Sequence, residues 1–156
     1  MKTLLLARHA KSDWGFSGLA DHERPLNARG RRDAPAMARR LVDDGIDLDH
    51  IVSSTAARAR STAEEYAAAF DVAVLEEELL YAASARSILA IAAALPEQSE
   101  VAMLVGHNPG MSEAVAELTG EFAQLATCAV AECAVDIGSW DELVEGTGRL
   151  LRIHTP

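Results

Sequence analysis

The chain has 156 residues, which suits one domain spanning 1–156. At this length roughly two-thirds of the unfolded surface can be buried, enough for a self-sufficient core. Hydrophobic residues make up 49% and charged residues 24%, which excludes wholesale disorder, and 24 acidic against 14 basic residues give a net charge of −10, which argues against a broad nucleic-acid-binding face and for solubility.

Strand-like and helix-like patterns alternate along the chain. "TLLLA" (3–7) is a short continuous apolar run, as expected of a strand buried on both faces. A polar loop with Gly15, Gly18 and Pro25 follows. Ala34, Met37, Ala38, Leu41 and Val42 then recur at helical spacing, and Gly45 stands where a helix would stop. Pro35 interrupts that stripe, so a bent or two-part helix is expected from about 28 to 44. "HIVSS" (50–54) reads as a second strand, followed by a helical stripe through Ala59, Thr62, Ala63, Tyr66, Ala67 and Phe70. "VAVL" (72–75) reads as a third strand. Ser84 can cap a helix whose inner face is Ile88, Ile91, Ala92 and Leu95. "VAMLV" (101–105) is another buried strand, "GHNPG" follows, and a helix is expected at about 111–119. Residues 126–137 and 149–154 read as a final pair of strands, one of them carrying both Cys128 and Cys133 on opposite faces.

This alternation predicts an α/β three-layer sandwich with a mostly parallel central sheet and an antiparallel edge in the last pair. The two cysteines form neither a C-x-x-C motif nor a disulfide framework. No apolar run approaches the 18 or so residues needed to span a membrane, and the four apolar residues before Arg8 are too few for a signal peptide. The cytoplasm is the expected compartment and a monomer the expected state.

In such sheets ligands bind beyond the carboxyl ends of the strands. Arg8-His9 follows one buried strand, Ser53-Ser54 and Arg58 follow another, and Gly106-His107-Asn108 follow a third. Two histidines and two arginines on one rim suit a phosphoryl group. Arginine offers a planar fork of donors to phosphate oxygens, a neutral histidine nitrogen can accept the phosphoryl group, and helix N-termini after Ser54 and Asn108 favour anions. Arg60 reads as a surface charge, His22 and His154 as solvated, His50 as a turn residue, and Glu76-Glu77-Glu78 as a solvated loop. Arg24 can either reach the pocket or pin its loop through Asp21 or Glu23. The five histidines show no metal-ligand spacing, so no metal or cofactor is expected.

"LLLARHAKSDW", "DHERPLNARGRRDA", "IVSSTAARARSTAE" and "LVGHNPGMSEAV" occur in that order. Together they resemble the histidine phosphatase, or phosphoglycerate mutase-like, superfamily, and within it the compact SixA-like phosphohistidine phosphatase branch. The resemblance covers nearly the whole chain. It implies that His9 is the nucleophile, that Arg8 and Arg58 bind the phosphate, and that His107 is the second histidine of the site. Ala10 stands where the commoner signature has glycine. The implied chemistry is metal-independent and passes through a phosphorylated His9. The general acid is open: in many relatives a carboxyl group after the third strand has that role, and Glu78 lies in about that region. Arg24, Ser54, Asn108 and Glu78 are further candidates for substrate contact.

Only about 25 residues separate the third and fourth strands, which leaves little room for a lid. An open site suits a phosphohistidine on a protein. Two alternatives stand beside that reading, a small-molecule phosphomonoesterase (on sugar phosphates or nucleotides) and a non-catalytic phospho-protein binding module. A phosphate ion is the expected occupant of the pocket in each case.

Overall fold

The structure, a computed structural model, describes residues 1–156. Strand β1 (Lys2–Arg8) lies at the centre of a six-stranded sheet whose order from edge to edge is β3 (Val74–Glu76), β2 (His50–Ser53), β4 (Val101–Gly106), β1, β5 (Val130–Val135) and β6 (Gly148–His154). Leu4, Leu5, Leu6 and Ala7 are all fully buried. Their alternation divides them between two cores, Leu4 and Leu6 on one side, Leu5 and Ala7 on the other. That is why the run is continuously apolar.

Strands β2 (His50–Ser53), β3 (Val74–Glu76) and β4 (Val101–Gly106) form the parallel part with β1. Strands β5 (Val130–Val135) and β6 (Gly148–His154) run antiparallel on its other flank. Helices α1 (Ala28–Asp43) and α2 (Ala57–Phe70) cover one face through Met37, Leu41, Ala63 and Tyr66. Helices α3 (Ala85–Ala93) and α4 (Gly110–Thr119) cover the other through Ile88, Leu89, Met111 and Val115. This is the three-layer sandwich expected, with the antiparallel edge in its expected place.

Several local expectations need correction. Helix α1 runs unbroken through Pro35. The proline forgoes one backbone bond to the carbonyl of Arg31, but the buried stripe Ala34, Met37, Ala38 and Leu41 holds the helix against the sheet on both sides of it. Strand β3 is shifted to Val74–Glu76, because α2 ends on Asp71 in the left-handed region (φ 55°) and Val72 still bonds back to Ala67. Cys128 lies in a turn before β5, with φ 66°, rather than in the same strand as Cys133. The two thiols are free and buried in opposite cores. His154 is buried, not solvated: its Nε2 lies 2.9 Å from Glu132 Oε2 and its Nδ1 3.3 Å from Asp44 Oδ2. His50 begins β2 instead of forming a turn. No helix is long and apolar enough to cross a membrane.

Candidate active site

The carboxyl ends of β1, β2 and β4 meet at one rim because the three strands are sheet neighbours, with Arg8 paired to Gly106 and Ser53 to Val105. The chain leaves β1 as His9, whose backbone N–H donates to the Gly106 carbonyl and whose carbonyl accepts from Cys128 N–H. The ring of His9 is thus carried on a backbone fixed from both sides. Its Nδ1 donates to the Ala10 carbonyl at 2.7 Å, which leaves the lone pair on Nε2. The Ala10 N–H donates in turn to Thr62 Oγ1 of α2, and Thr62 donates to the Arg58 carbonyl.

His107 stands beside His9, with ring centroids 5.1 Å apart. Its Nε2 is 2.8 Å from Ser54 Oγ. That hydroxyl already accepts from the Ala56 N–H, so its own proton is free for Nε2, and the ring proton then belongs on Nδ1. Burial is the largest cause that lowers the pKa of both rings, His9 to about 3 and His107 to about 4. The neighbouring Arg8 and Arg58 push both in the same direction. Both imidazoles are therefore neutral at pH 7.

A cavity of about 230 Å³ opens over these rings, lined by Arg8, His9, Lys11, Ser12, Trp14, Arg24, Arg58, His107, Asn108 and Thr127. Four basic side chains face it and no acidic one, in a protein of net charge −10. Arg8 Nε, Arg58 Nε and His107 Nδ1 are buried without a hydrogen-bond partner. Three orphaned donors cost stability unless something accepts from them, and an oxyanion is the matching acceptor. No cluster of His, Cys, Asp and Glu side chains fit to hold a metal ion is present anywhere in the chain.

The arginines are aimed by other parts of the fold. Arg8 Nη1 donates to the Leu125 carbonyl at 3.1 Å. Arg58, in the first turn of α2, donates from Nη1 to the Asp21 carbonyl at 2.7 Å and from Nη2 to Asp21 Oδ2 at 2.9 Å. Asp21 Oδ1 takes Nε and Nη2 of Arg24, at 3.1 and 3.0 Å. The Tyr81 hydroxyl donates to Asp21 Oδ2. That bond, ahead of those from Arg58 and Arg24, holds the Asp21 carboxyl well below the usual carboxylate range, and it raises the pKa of Tyr81 in return.

The candidates read from the sequence thus divide. His9, Arg8, Arg58 and His107 come together, as do Arg24 and Asn108. Arg24 fulfils both of its alternatives, since it lines the cavity and pins its loop through Asp21. Asn108 is largely spent on structure: its Nδ2 donates to the Leu125 carbonyl and its Oδ1 accepts from the N–H and the hydroxyl of Ser112. Ser54 is fully buried behind His107 and orients that ring rather than facing the cavity. Glu78 is exposed in a 3-10 turn at Glu78–Leu80, outside the cavity. His22 is less solvated than expected, with Nε2 2.8 Å from Thr55 Oγ1 and its ring edge-on to Tyr81.

Sequence reasoning named Asp21 only as a partner for Arg24 and missed its hold on Arg58, and it missed Trp14, Tyr81 and Thr62 as parts of the site. Asp21 and Arg24 are three apart, the spacing of a local ion pair. Tyr81 follows the end of β3 as the other rim residues follow theirs, so the strand-end rule could have found it. A larger groove of about 550 Å³ lies along β3 and α3, but its lining is mostly apolar and holds neither arginine nor lysine.

The family model described as "Histidine phosphatase superfamily (branch 1)" matches residues 4–85. An uncharacterised chloroplastic protein of Arabidopsis thaliana is 33% identical over 153 residues, covering 90% of this chain and 70% of that protein. A structure of a candidate phosphohistidine phosphatase SixA from Nakamurella multipartitia superposes with a TM-score of 0.88 at 29% identity, covering 99% of this chain and 96% of that one. The protein histidine phosphatase SixA complexed with tungstate shares the fold, with a TM-score of 0.83 at 22% identity and coverage of 97% and 95%.

Proposed function

The chain belongs to branch 1 of the histidine phosphatase superfamily, and we propose that within its SixA-like group it is a metal-independent hydrolase of phosphohistidine on proteins. The observation that carries this reading is the pairing of a tautomer-locked His9 with a cavity that offers cations and neutral donors but no carboxylic acid.

In the first step the Nε2 lone pair of His9 attacks phosphorus. Arg8, Arg58 and His107 Nδ1–H take the charge on the non-bridging oxygens, as donors already fixed before the charge develops. The bond from phosphorus to the leaving group breaks, and the leaving atom takes up a proton. In the second step water attacks phospho-His9 in line, phosphate departs and His9 returns to its neutral form.

The leaving group discriminates between substrates. An alkoxide leaves badly and needs a positioned acid. Neither histidine is protonated in the free site at neutral pH, and Asp21 is held ionised. The imidazole of a phosphohistidine needs less help, because it leaves readily and takes its proton from water. Of the two SixA neighbours, the Nakamurella multipartitia protein is a candidate phosphohistidine phosphatase and the tungstate complex is a protein histidine phosphatase, which supports the same choice.

The test sets phosphate release from a phosphohistidine-bearing protein beside release from p-nitrophenyl phosphate, with His9→Ala as control. Preference for the phosphohistidine protein, abolished in the variant, is expected. Faster hydrolysis of the ester would move the enzyme to small molecules. Tight binding of the phosphoprotein with no release from either would reduce the site to a phosphate-binding module.

A further inference from the structure

Trp14 is 73% exposed, yet it lines the cavity and is its single hydrophobic wall. Its ring lies over Arg24, with the guanidinium carbon 3.5 Å from the ring centroid. Arg24 itself is only 7% exposed. Of its five N–H donors, Nε and one on Nη2 go to Asp21 Oδ1, and Nη1 serves Ser12 Oγ at 2.7 Å and the Asp13 carbonyl at 3.4 Å. One donor remains for a ligand. Arg24 is thus mainly a pedestal: Asp21 and Ser12 fix the guanidinium, and the guanidinium fixes the indole by cation–π attraction.

In-line displacement puts the leaving group opposite His9 Nε2, and Trp14 is the exposed aromatic side chain of the cavity that receives it. We propose that Trp14 is a specificity-determining residue whose indole packs against a planar leaving group, so that the site prefers phosphorylated imidazole, and flat aromatic groups in general, to phosphates with no ring. The inference rests on the phosphohistidine reading for its natural substrate. An aromatic pair of this kind adds to binding beyond the area it buries, and it does so without supplying a proton. It would therefore help most where the leaving group needs no acid.

The experiment compares two P–N substrates that differ in the ring, phosphoimidazole and phosphoramidate, on the wild type, Trp14→Ala and Trp14→Phe. Trp14→Ala is expected to lose roughly five- to tenfold in kcat/KM on phosphoimidazole, the size of one aromatic contact, and to keep its rate on phosphoramidate, with Trp14→Phe restoring most of the loss. Equal loss on both substrates would overturn the proposal and leave Trp14 as a cover for Arg24. No loss on either would overturn it as well. If the wild type cleaves neither P–N compound but hydrolyses esters, the phosphohistidine reading falls by itself. The pair p-nitrophenyl phosphate and glycerol phosphate then decides the role of Trp14 by the same criterion. Fluorescence gives a second readout, because the other tryptophan, Trp140, is 1% exposed in the core. In His9→Ala, phosphoimidazole should quench Trp14 emission while inorganic phosphate leaves it unchanged. Equal response to both ligands would count against stacking.

Discussion

Asp21 Oδ2 accepts from Arg58 Nη2 at 2.9 Å across 37 residues of sequence, so the loop after β1 sets the aim of an arginine that belongs to α2. The same carboxylate holds Arg24 and Tyr81. Asp21→Asn removes the charge that orients both guanidinium groups. A hydrogen bond to a charged group contributes about 1.5–3 kcal/mol, and the lower end corresponds to roughly tenfold in rate. The expected outcome is a fall in kcat of about that size, with tighter inhibition by inorganic phosphate because Arg58 loses a competing anion. Steady-state kinetics with phosphate as inhibitor checks both.

Stability should depend on pH through Asp21 in a defined window. Its folded pKa is depressed, first by the Tyr81 hydroxyl. The stabilisation is therefore present above the unfolded carboxylate value of about 3.9 and is lost as pH falls through the lower folded value. Denaturant unfolding of wild type and Asp21→Asn should show a deficit in the variant at neutral pH that shrinks as pH drops below about 4.

His9 and His107 act in a different window. Their folded pKa values are lowered by burial to about 3 and about 4. Between roughly 6.5, the unfolded value, and those values, the unfolded chain binds protons that the folded chain does not. Stability contributed by the neutral rings is complete above about 6.5 and declines as the solution is acidified. The expected NMR titration has two of the five imidazoles unchanged from about pH 8 down to about 5. His107→Asn should flatten the fall in stability across the same range.

Ser54→Ala leaves His107 Nε2 and the Ala56 N–H without their shared partner. An unsatisfied buried polar group costs about 1–3 kcal/mol, so a matching loss in unfolding free energy is expected. It should come with a lower kcat and little change in KM, because Ser54 does not line the cavity. Glu78→Gln, by contrast, should leave p-nitrophenyl phosphate hydrolysis within about twofold, the range of an ordinary surface substitution. A large loss there would restore Glu78 as the acid.

Gly30 lies where α1 begins, and a Cβ at this position would come within 2.2 Å of the Lys11 carbonyl. Gly30→Ala must push α1 away from the segment that carries Ser12 and Trp14. Overpacking of this kind costs about 1–3 kcal/mol. Thermal unfolding should register it, and the variant should also lose activity through the displaced loop.

What was legible in the sequence follows from periodicity. Arg8, His9, Arg58, His107 and Asn108 stand just beyond short apolar runs, so the strand-end rule locates them without any tertiary contact. Asp21 and Trp14 lie in the irregular segment between β1 and α1, where no period exists and only tertiary contacts decide direction. His154 escaped because its burial comes from Asp44 and Glu132, distant in sequence. Cys128 escaped because its left-handed backbone breaks a run that reads as one strand. Ser54 stands at the end of its apolar run, but which way its hydroxyl points depends on the Ala56 N–H and His107 together.

Arg8 and Asn108 both donate to the carbonyl of Leu125. Two strand ends of the site are thereby tied to a peptide group, not to a side chain. The identity of residue 125 is then set only by the core it fills, where its side chain is fully buried. An isoleucine or methionine of similar volume could stand there with the tie intact. Position 125 can therefore drift among side chains that fill the same core while the arginine keeps its aim, which uncouples inheritance of the chemistry from inheritance of that residue.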